Sequence, residues 1–245
     1  MDNDREYSKK QVNRAGRCLR DPSVLATLSE EDWLEALAAI EWWRARHAKP
    51  LARVNAGLRY YVRKVGIEHP EVTQRLKRFV TVVDKLRRHP SMALTTMEDI
   101  GGVRVILPTQ PHLDAVVTDL RSQPRWTIRR VREYVEGRTP GPKDDGYRAV
   151  HVTVEKDGCY VEIQLRTPWQ DSWAQSVEQD TRRLRAGLKF GAGPSDLREY
   201  YVMVAEFFAL RERHEEPDQE FMEQLANMFA ATRRYFEDPR EGGHA

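Results

Sequence analysis

Glu162, Gln164 and Arg166 alternate with Val161, Ile163 and Leu165 in one seven-residue string that closes on Thr167. On a strand, alternate residues share a face, so an acid, an amide and a guanidinium point one way and three aliphatic chains the other. Burying three such polar groups is costly unless something binds them. That face is a candidate site for a charged substrate. Just upstream, Lys143 and the turn Gly146-Tyr147-Arg148 add two cations and an aromatic ring.

Cations and a second acid lie further back. Arg75, Lys77, Arg78, Lys85, Arg87 and Arg88 crowd into residues 75–88. A charge run of this kind is usually a solvated helix face. Arg75 and Lys77, however, fall two apart on an alternating segment and would aim at one point, which suits a polyphosphate with several oxygens to satisfy. Asp99 precedes Ile100-Gly101-Gly102, and Arg104 follows at the start of an apolar strand. An acid at a strand entry can simply cap a turn. Beside phosphate-binding cations it is also a suitable Mg²⁺ ligand, because Mg²⁺ is held by one or two carboxylates plus phosphate oxygens; Glu162 would be the second carboxylate. Tyr147 fits a packed core aromatic and a stacking platform for a base equally well. His151 fits a core histidine or a ligand.

Other chemistries find no support. There is no Gly-x-Ser-x-Gly elbow, no Walker signature and no dinucleotide fingerprint. Two acids among many cations remain, which is the composition of a phosphoryl-transfer site.

Several elements must position these groups. Ser29 before Glu30-Glu31-Asp32 starts a helix, continued by Trp33, Leu34, Leu37, Ile40 and Trp43 or Trp42. Pro50 is expected to break or bend it, with a second helix over 51–65. The pattern then gives a short strand at 72–77, a helix at 81–88 ended by Pro90, a strand at 103–107, a helix at 113–120 and strands at 126–135, 148–155 and 160–167. Lys156-Asp157-Gly158 supplies a hairpin turn between the last two. From Trp169 on the periodicity is helical, with a break at Gly191 to Pro194, a stripe from Leu197 to Phe208, a final amphipathic stretch from Phe221 to Phe236, and a tail from Asp238 expected to fray.

The expected fold is α+β: a mixed sheet of about five strands flanked by helices, in one compact domain. A helical region over 1–70 would pack on a core over 71–190, with C-terminal helices over 191–245. The 245 residues can bury one substantial core. A formal charge of +2 is too small to imply nucleic-acid binding by itself. No apolar stretch is long enough to cross a membrane, and the N-terminus lacks a signal peptide's apolar region. Cys18 and Cys159 lie far apart without metal-ligand spacing, so free thiols in a reducing compartment are expected.

Taken together, the segments from Val72 to Glu178 closely resemble the synthetase domain of the RelA/SpoT alarmone family, which transfers the pyrophosphate of ATP to a ribose 3′-hydroxyl. The ATP-side signature is similar at Arg75, Lys77, Thr81 (usually serine in the family) and Lys85. The metal-binding signature is similar at Glu98 to Arg104, the acceptor loop at Pro142 to Arg148 with His151 behind it, and the strand at Glu162 to Thr167. The resemblance implies a nucleotidyltransferase-like fold in which Asp99 and Glu162 are catalytic. Asp99 would hold Mg²⁺, with Glu162 a possible second ligand, and Arg75, Lys77, Thr81, Lys85 and Arg104 would grip ATP. Glu162 would orient or deprotonate the hydroxyl, and Tyr147 would stack on the acceptor base, with Lys143, Asp145, His151, Gln164 and Arg166 around it. The family's hydrolase half is expected to be missing: no His-Asp dipeptide occurs, and little chain precedes Val72.

The acceptor is less defined. Asp145 stands where guanine-using relatives carry asparagine, and an ionised aspartate only accepts hydrogen bonds. Glu6 to Gln11 and Trp43 to Pro50 are similar to the toxic branch of small alarmone synthetases. That resemblance implies modification of the 3′-terminal adenosine of the tRNA CCA end, a cognate antitoxin and a bacterial or phage-encoded cytoplasmic protein. Arg129, Arg130 and Arg132, and then Arg182, Arg183, Arg185 and Lys189, are two clusters that could meet tRNA phosphates; arginines balanced by nearby acids are the plain alternative. Guanosine nucleotides, adenosine nucleotides and an inactive nucleotide-binding relative are the other readings.

Overall fold

The computed structural model describes residues 6–184, 188 and 192–236. Arg185, Lys189, Gly191 and the tail from Asp238 therefore lie outside the described residues. The elements run α1 (Lys9–Arg20), α2 (Pro22–Leu25), α3 (Glu30–Arg46), α4 (Ala48–Lys64), β1 (Val72–Leu76), α5 (Phe79–Arg88), β2 (Gly101–Ile106) and α6 (Gln110–Ser122). They continue as β3 (Thr127–Tyr134), β4 (Ala149–Lys156), β5 (Cys159–Arg166), α7 (Pro168–Arg183), α8 (Ser195–Glu212) and α9 (Gln219–Thr232). The five strands form one mixed sheet in the order β1-β2-β5-β4-β3, flanked by helices, as the alternation predicted.

Local chemistry explains the boundaries. Ser29 caps α3 by accepting from the Asp32 amide, and three acids fill the first turn. Pro50 does not break a helix. It sits in the first turn of α4, where a missing N–H costs nothing, and His47 joins α3 to α4. The β4–β5 hairpin turns on Asp157 and Gly158, both at positive φ (52° and 74°), the geometry a two-residue hairpin needs. Thr167 and Gln170 form a reciprocal capping box at the start of α7, with Pro168 as its first residue.

Contacts divide the chain into two compact units. The first comprises Met1–Val105, Asp114–Val131 and His151–Gln164; the second comprises Ile106–Leu113, Arg132–Val150 and Leu165–Ala245. In the first, α1 packs on α3 and α5 around a core that includes Val12, Leu19, Ile40, Trp43, Leu86, Met97 and Ile100. In the second, α7, α8 and α9 pack together over Trp173, Val177, Leu197, Tyr201 and Ala205. Both cysteines are free thiols.

Candidate active site

The antiparallel register of β1 on β2 sets the first group of side chains. Thr73 lies opposite Arg104, Arg75 opposite Gly102 and Leu76 opposite Gly101. Directly opposed residues share a face, so Arg75 and Arg104 are diagonal neighbours. Gly102 keeps the space beside Arg75 open, since an added Cβ there would meet nothing closer than a backbone oxygen at 4.0 Å. The ladder continues one bond past β1, from the Lys77 amide to the Ile100 carbonyl (2.8 Å). That bond carries Lys77 to the residue before Ile100, which is Asp99.

Asp99 is held by two ammonium groups: Lys77 Nζ lies 3.0 Å from Oδ2 and Lys85 Nζ 2.8 Å from Oδ1. Lys85 comes from α5, four residues after Thr81, which lies in that helix's first turn. Burial alone would raise the Asp99 carboxyl, but the two lysines outweigh it and hold it below the usual carboxylate range. Oδ1 is buried with the Lys85 ammonium as its close partner. An ionised carboxylate oxygen is the donor type that suits Mg²⁺, which takes one or two protein carboxylates and completes its shell with phosphate and water oxygens. Among the described residues no cluster of three metal-ligating side chains occurs.

Glu162 belongs to the same unit. Burial by itself would raise its carboxyl, yet hydrogen bonds from His151 and Gln164 and the charge of Lys85 bring it down to about 2. His151 Nδ1 lies 3.1 Å from Oε1, and Gln164 Nε2 donates to Oε2 at 2.7 Å. Both oxygens are thus engaged, which suits a fixed hydrogen-bond acceptor better than a metal ligand. The Glu162 charge acts on Asp99 and the Lys85 charge on Glu162. The two acids, 63 positions apart in sequence (162 − 99), converge on one cation cluster.

The acceptor-loop residues form a group within the second unit. Gly146, at φ 87°, approaches Ala205 so closely that a Cβ would stand 2.6 Å from that methyl group. Only glycine fits. Asp145 accepts from the Tyr147 amide at 3.0 Å and so fixes the turn. The half-buried Tyr147 ring has Lys143 Nζ 4.8 Å from its centroid and the Arg166 guanidinium 5.4 Å away, with Tyr134 and Trp173 edge-on at 5.7 and 6.2 Å. Arg166 donates to the Tyr147 hydroxyl (3.0 Å) and to Asp171 (2.9 Å). Although burial opposes its charge, these partners keep it firmly protonated.

The arginine clusters are offset within their own units. Arg129 pairs with Glu155, Arg130 with Glu98 (3.5 Å), Arg182 with Glu178 (2.9 Å) and Arg183 with Asp180 (3.0 Å). Arg132 is half-buried on β3, and Arg185 is outside the described residues. Two supporting residues gave no signal of their own in the sequence. Arg44 of α3 donates to the Lys77 carbonyl at 2.8 Å, and Asp171 of α7 anchors Arg166. Each acts through a contact that only tertiary structure reveals.

Residues 74–182 match the family described as the region found in RelA / SpoT proteins. An uncharacterized protein of Mycobacterium tuberculosis, Rv1366, is 33% identical over 130 residues, covering 51% of this chain and 45% of that protein. The Bacillus subtilis GTP pyrophosphokinase YjbM is 31% identical over 114 residues, 42% of this chain and 52% of that one. The chain thus spans about half the length of these curated relatives. Among solved structures, small alarmone synthetase 2 from Bacillus subtilis superposes with a TM-score of 0.61 at 23% identity, over 71% of this chain and 94% of that one. Residues 74–182 are thus similar to the region found in RelA / SpoT proteins, and the chain has the fold of the small alarmone synthetases.

Proposed function

We propose that the chain transfers the β,γ-pyrophosphoryl group of ATP to a ribose 3′-hydroxyl. The observation that carries this reading is the Lys77–Asp99–Lys85 ion cluster lying within electrostatic reach of buried Glu162. In this reading the 3′-oxygen attacks the β-phosphorus, the bond to the α,β-bridging oxygen breaks, and AMP leaves. Glu162, engaged by His151 and Gln164, accepts the hydroxyl's hydrogen bond and orients it; as the bond to phosphorus forms, the proton passes along that bond to the carboxylate and from there to water. A carboxylate at about 2 is a weak base near neutrality, so orientation is its main contribution. Lys77, Lys85, Arg75 and Arg104 bind and neutralise the phosphates, with Thr81 beside them on α5. Asp99 would hold Mg²⁺, which when bound offsets charge on the phosphoryl oxygens.

The acceptor we propose is the 3′-terminal adenosine of the tRNA CCA end, with Tyr147 as the stacking ring and Arg166 and Lys143 around it. Asp145, in the loop beside Tyr147, offers an acceptor to the adenine amino group, as it would to the donors of a guanine edge. A toxin role with a neutralising antitoxin protein goes with that acceptor. A second reading, a guanosine nucleotide as acceptor, is favoured by the relative named as a GTP pyrophosphokinase and by the ion-paired state of the arginine clusters. Incubation with γ-³²P-ATP and tRNA, GDP or GTP separates the two. Label in tRNA supports the first, label confined to nucleotide supports the second, and no label on any acceptor overturns pyrophosphate transfer.

A further inference from the structure

Within the second unit, the acceptor loop opens on a cleft of about 720 Å³, in the size range of sites that enclose a whole small ligand. One wall is the loop from Pro140 to Asp145 with the Tyr134 ring. The other is α8, through Ser195, Arg198, Glu199 and Val202. This second wall lies beyond residues 74–182, the stretch that the family match spans.

The cleft continues from the acceptor ring. Tyr134 and Tyr147 have centroids 5.7 Å apart, and one ammonium, Lys143 Nζ, lies 5.1 Å from the first and 4.8 Å from the second. The two rings meet edge to face, so a base on the Tyr134 face would stand apart from one on Tyr147, with Lys143 between them as a partner for the connecting phosphate. The charges of the cleft are mixed: Lys143 and Arg198 line it together with Asp144, Asp145 and Glu199. A nucleoside triphosphate would bring several negative charges against three carboxylates. A strand end brings one phosphate per step, and the amino groups of its bases donate to carboxylates.

We infer that this cleft receives the nucleotide adjoining the one that reacts, so that α8, with Arg198 and Glu199, selects a single-stranded RNA 3′ end over a free nucleoside triphosphate. The inference rests on the pyrophosphate-transfer reading and names the class of acceptor for that site.

The test compares wild type, Arg198→Ala and the cleft-filling Val202→Trp, both changes lying on the solvent side of α8. The acceptors are a CCA-ended oligoribonucleotide and GDP, with labelled ATP as donor. Binding of the fluorescent oligoribonucleotide is measured separately by anisotropy. Each variant should raise the KM and Kd for the RNA about tenfold, roughly the loss of one charge-assisted contact, while the KM for ATP, the melting temperature and transfer to GDP change less than twofold. RNA labelling that both variants leave unchanged overturns the α8 cleft and spares pyrophosphate transfer. Transfer by the wild type to GDP alone also overturns it. A wild-type protein that labels neither acceptor overturns the underlying reading instead.

Discussion

Asp99 is one carboxylate between two ammonium groups, and that arrangement has a cost on either side. Asp99→Asn removes the charge that keeps Lys77 and Lys85 together and the oxygen suited to Mg²⁺. Transfer is expected to fall by about 10²-fold or more, with kcat affected more than the KM for the acceptor. Glu162→Gln keeps the shape of the side chain but removes its charge and turns one of its two acceptor oxygens into a donor, so it cannot serve His151, Gln164 and the substrate hydroxyl together. A similar loss is expected, measured as initial rate at saturating ATP. Because the Glu162 carboxyl is depressed to about 2 from 4.5, it stays ionised as pH falls until that region. Any acid limb in kcat/KM between about pH 5 and 7 therefore belongs to another group, and a wild-type limb tracked to Glu162 at such a pH would contradict the assignment. That Glu162 shares a face with Gln164 was legible because alternation on β5 fixes which side chains point together; Asp99 stood out by its place before Ile100-Gly101-Gly102 at the entry to β2. Asp171 did not, because its importance comes from the Arg166 guanidinium reaching it. Asp171→Asn should raise the KM for the acceptor severalfold while leaving that for ATP unchanged, as steady-state titration of each substrate would read.

At the scale of elements, the strongly periodic strands and their turns were readable, and the N-terminal helix was not. In α1 the buried positions are Val12, Ala15, Gly16 and Leu19, two of them too small to register as an apolar stripe. Gly16 explains why. A Cβ there would stand 3.1 Å from the Leu94 Cβ, so close approach at Gly16 adds to the burial of Val12 and Leu19 in holding the helix. Pro50 misled for the opposite reason. Proline reads as a breaker, but two abutting helices place it in a first turn where it is tolerated. The start of α7 offers a direct test of such local logic. Thr167 caps the helix and also donates to Glu212, so Thr167→Ala should destabilise the fold by about 1 kcal/mol or more, seen as a lower urea midpoint with an unchanged slope.

For the molecule as a whole, charge and pH behaviour follow from which groups are buried. The net charge is +2, several of the described arginines, among them Arg129, Arg148 and Arg166, are paired with acids, and no helix among the described residues is long and apolar enough to cross a membrane. His47 is buried between α3 and α4, with Nδ1 2.7 Å from the Trp43 carbonyl. Burial lowers its pKa from 6.5 more than that carbonyl raises it, and Arg46 lowers it further. A group depressed in the folded state contributes stability above its unfolded value and loses it as pH falls. Unfolding free energy should therefore decline as pH drops below about 6.5, and His47→Gln should flatten that decline in urea titrations across the range. An identical pH dependence in wild type and variant would remove His47 as its source.

The convergence of Asp99 and Glu162 on Lys85 is tested most directly by following both fates of ATP in one reaction, with nucleotides separated chromatographically. Pyrophosphate transfer through these residues gives one AMP for each labelled pyrophosphoryl group transferred, no build-up of ADP, and collapse of both signals together in Asp99→Asn and in Glu162→Gln. Formation of ADP with single-phosphate transfer, or near-normal AMP release by either variant, would contradict it.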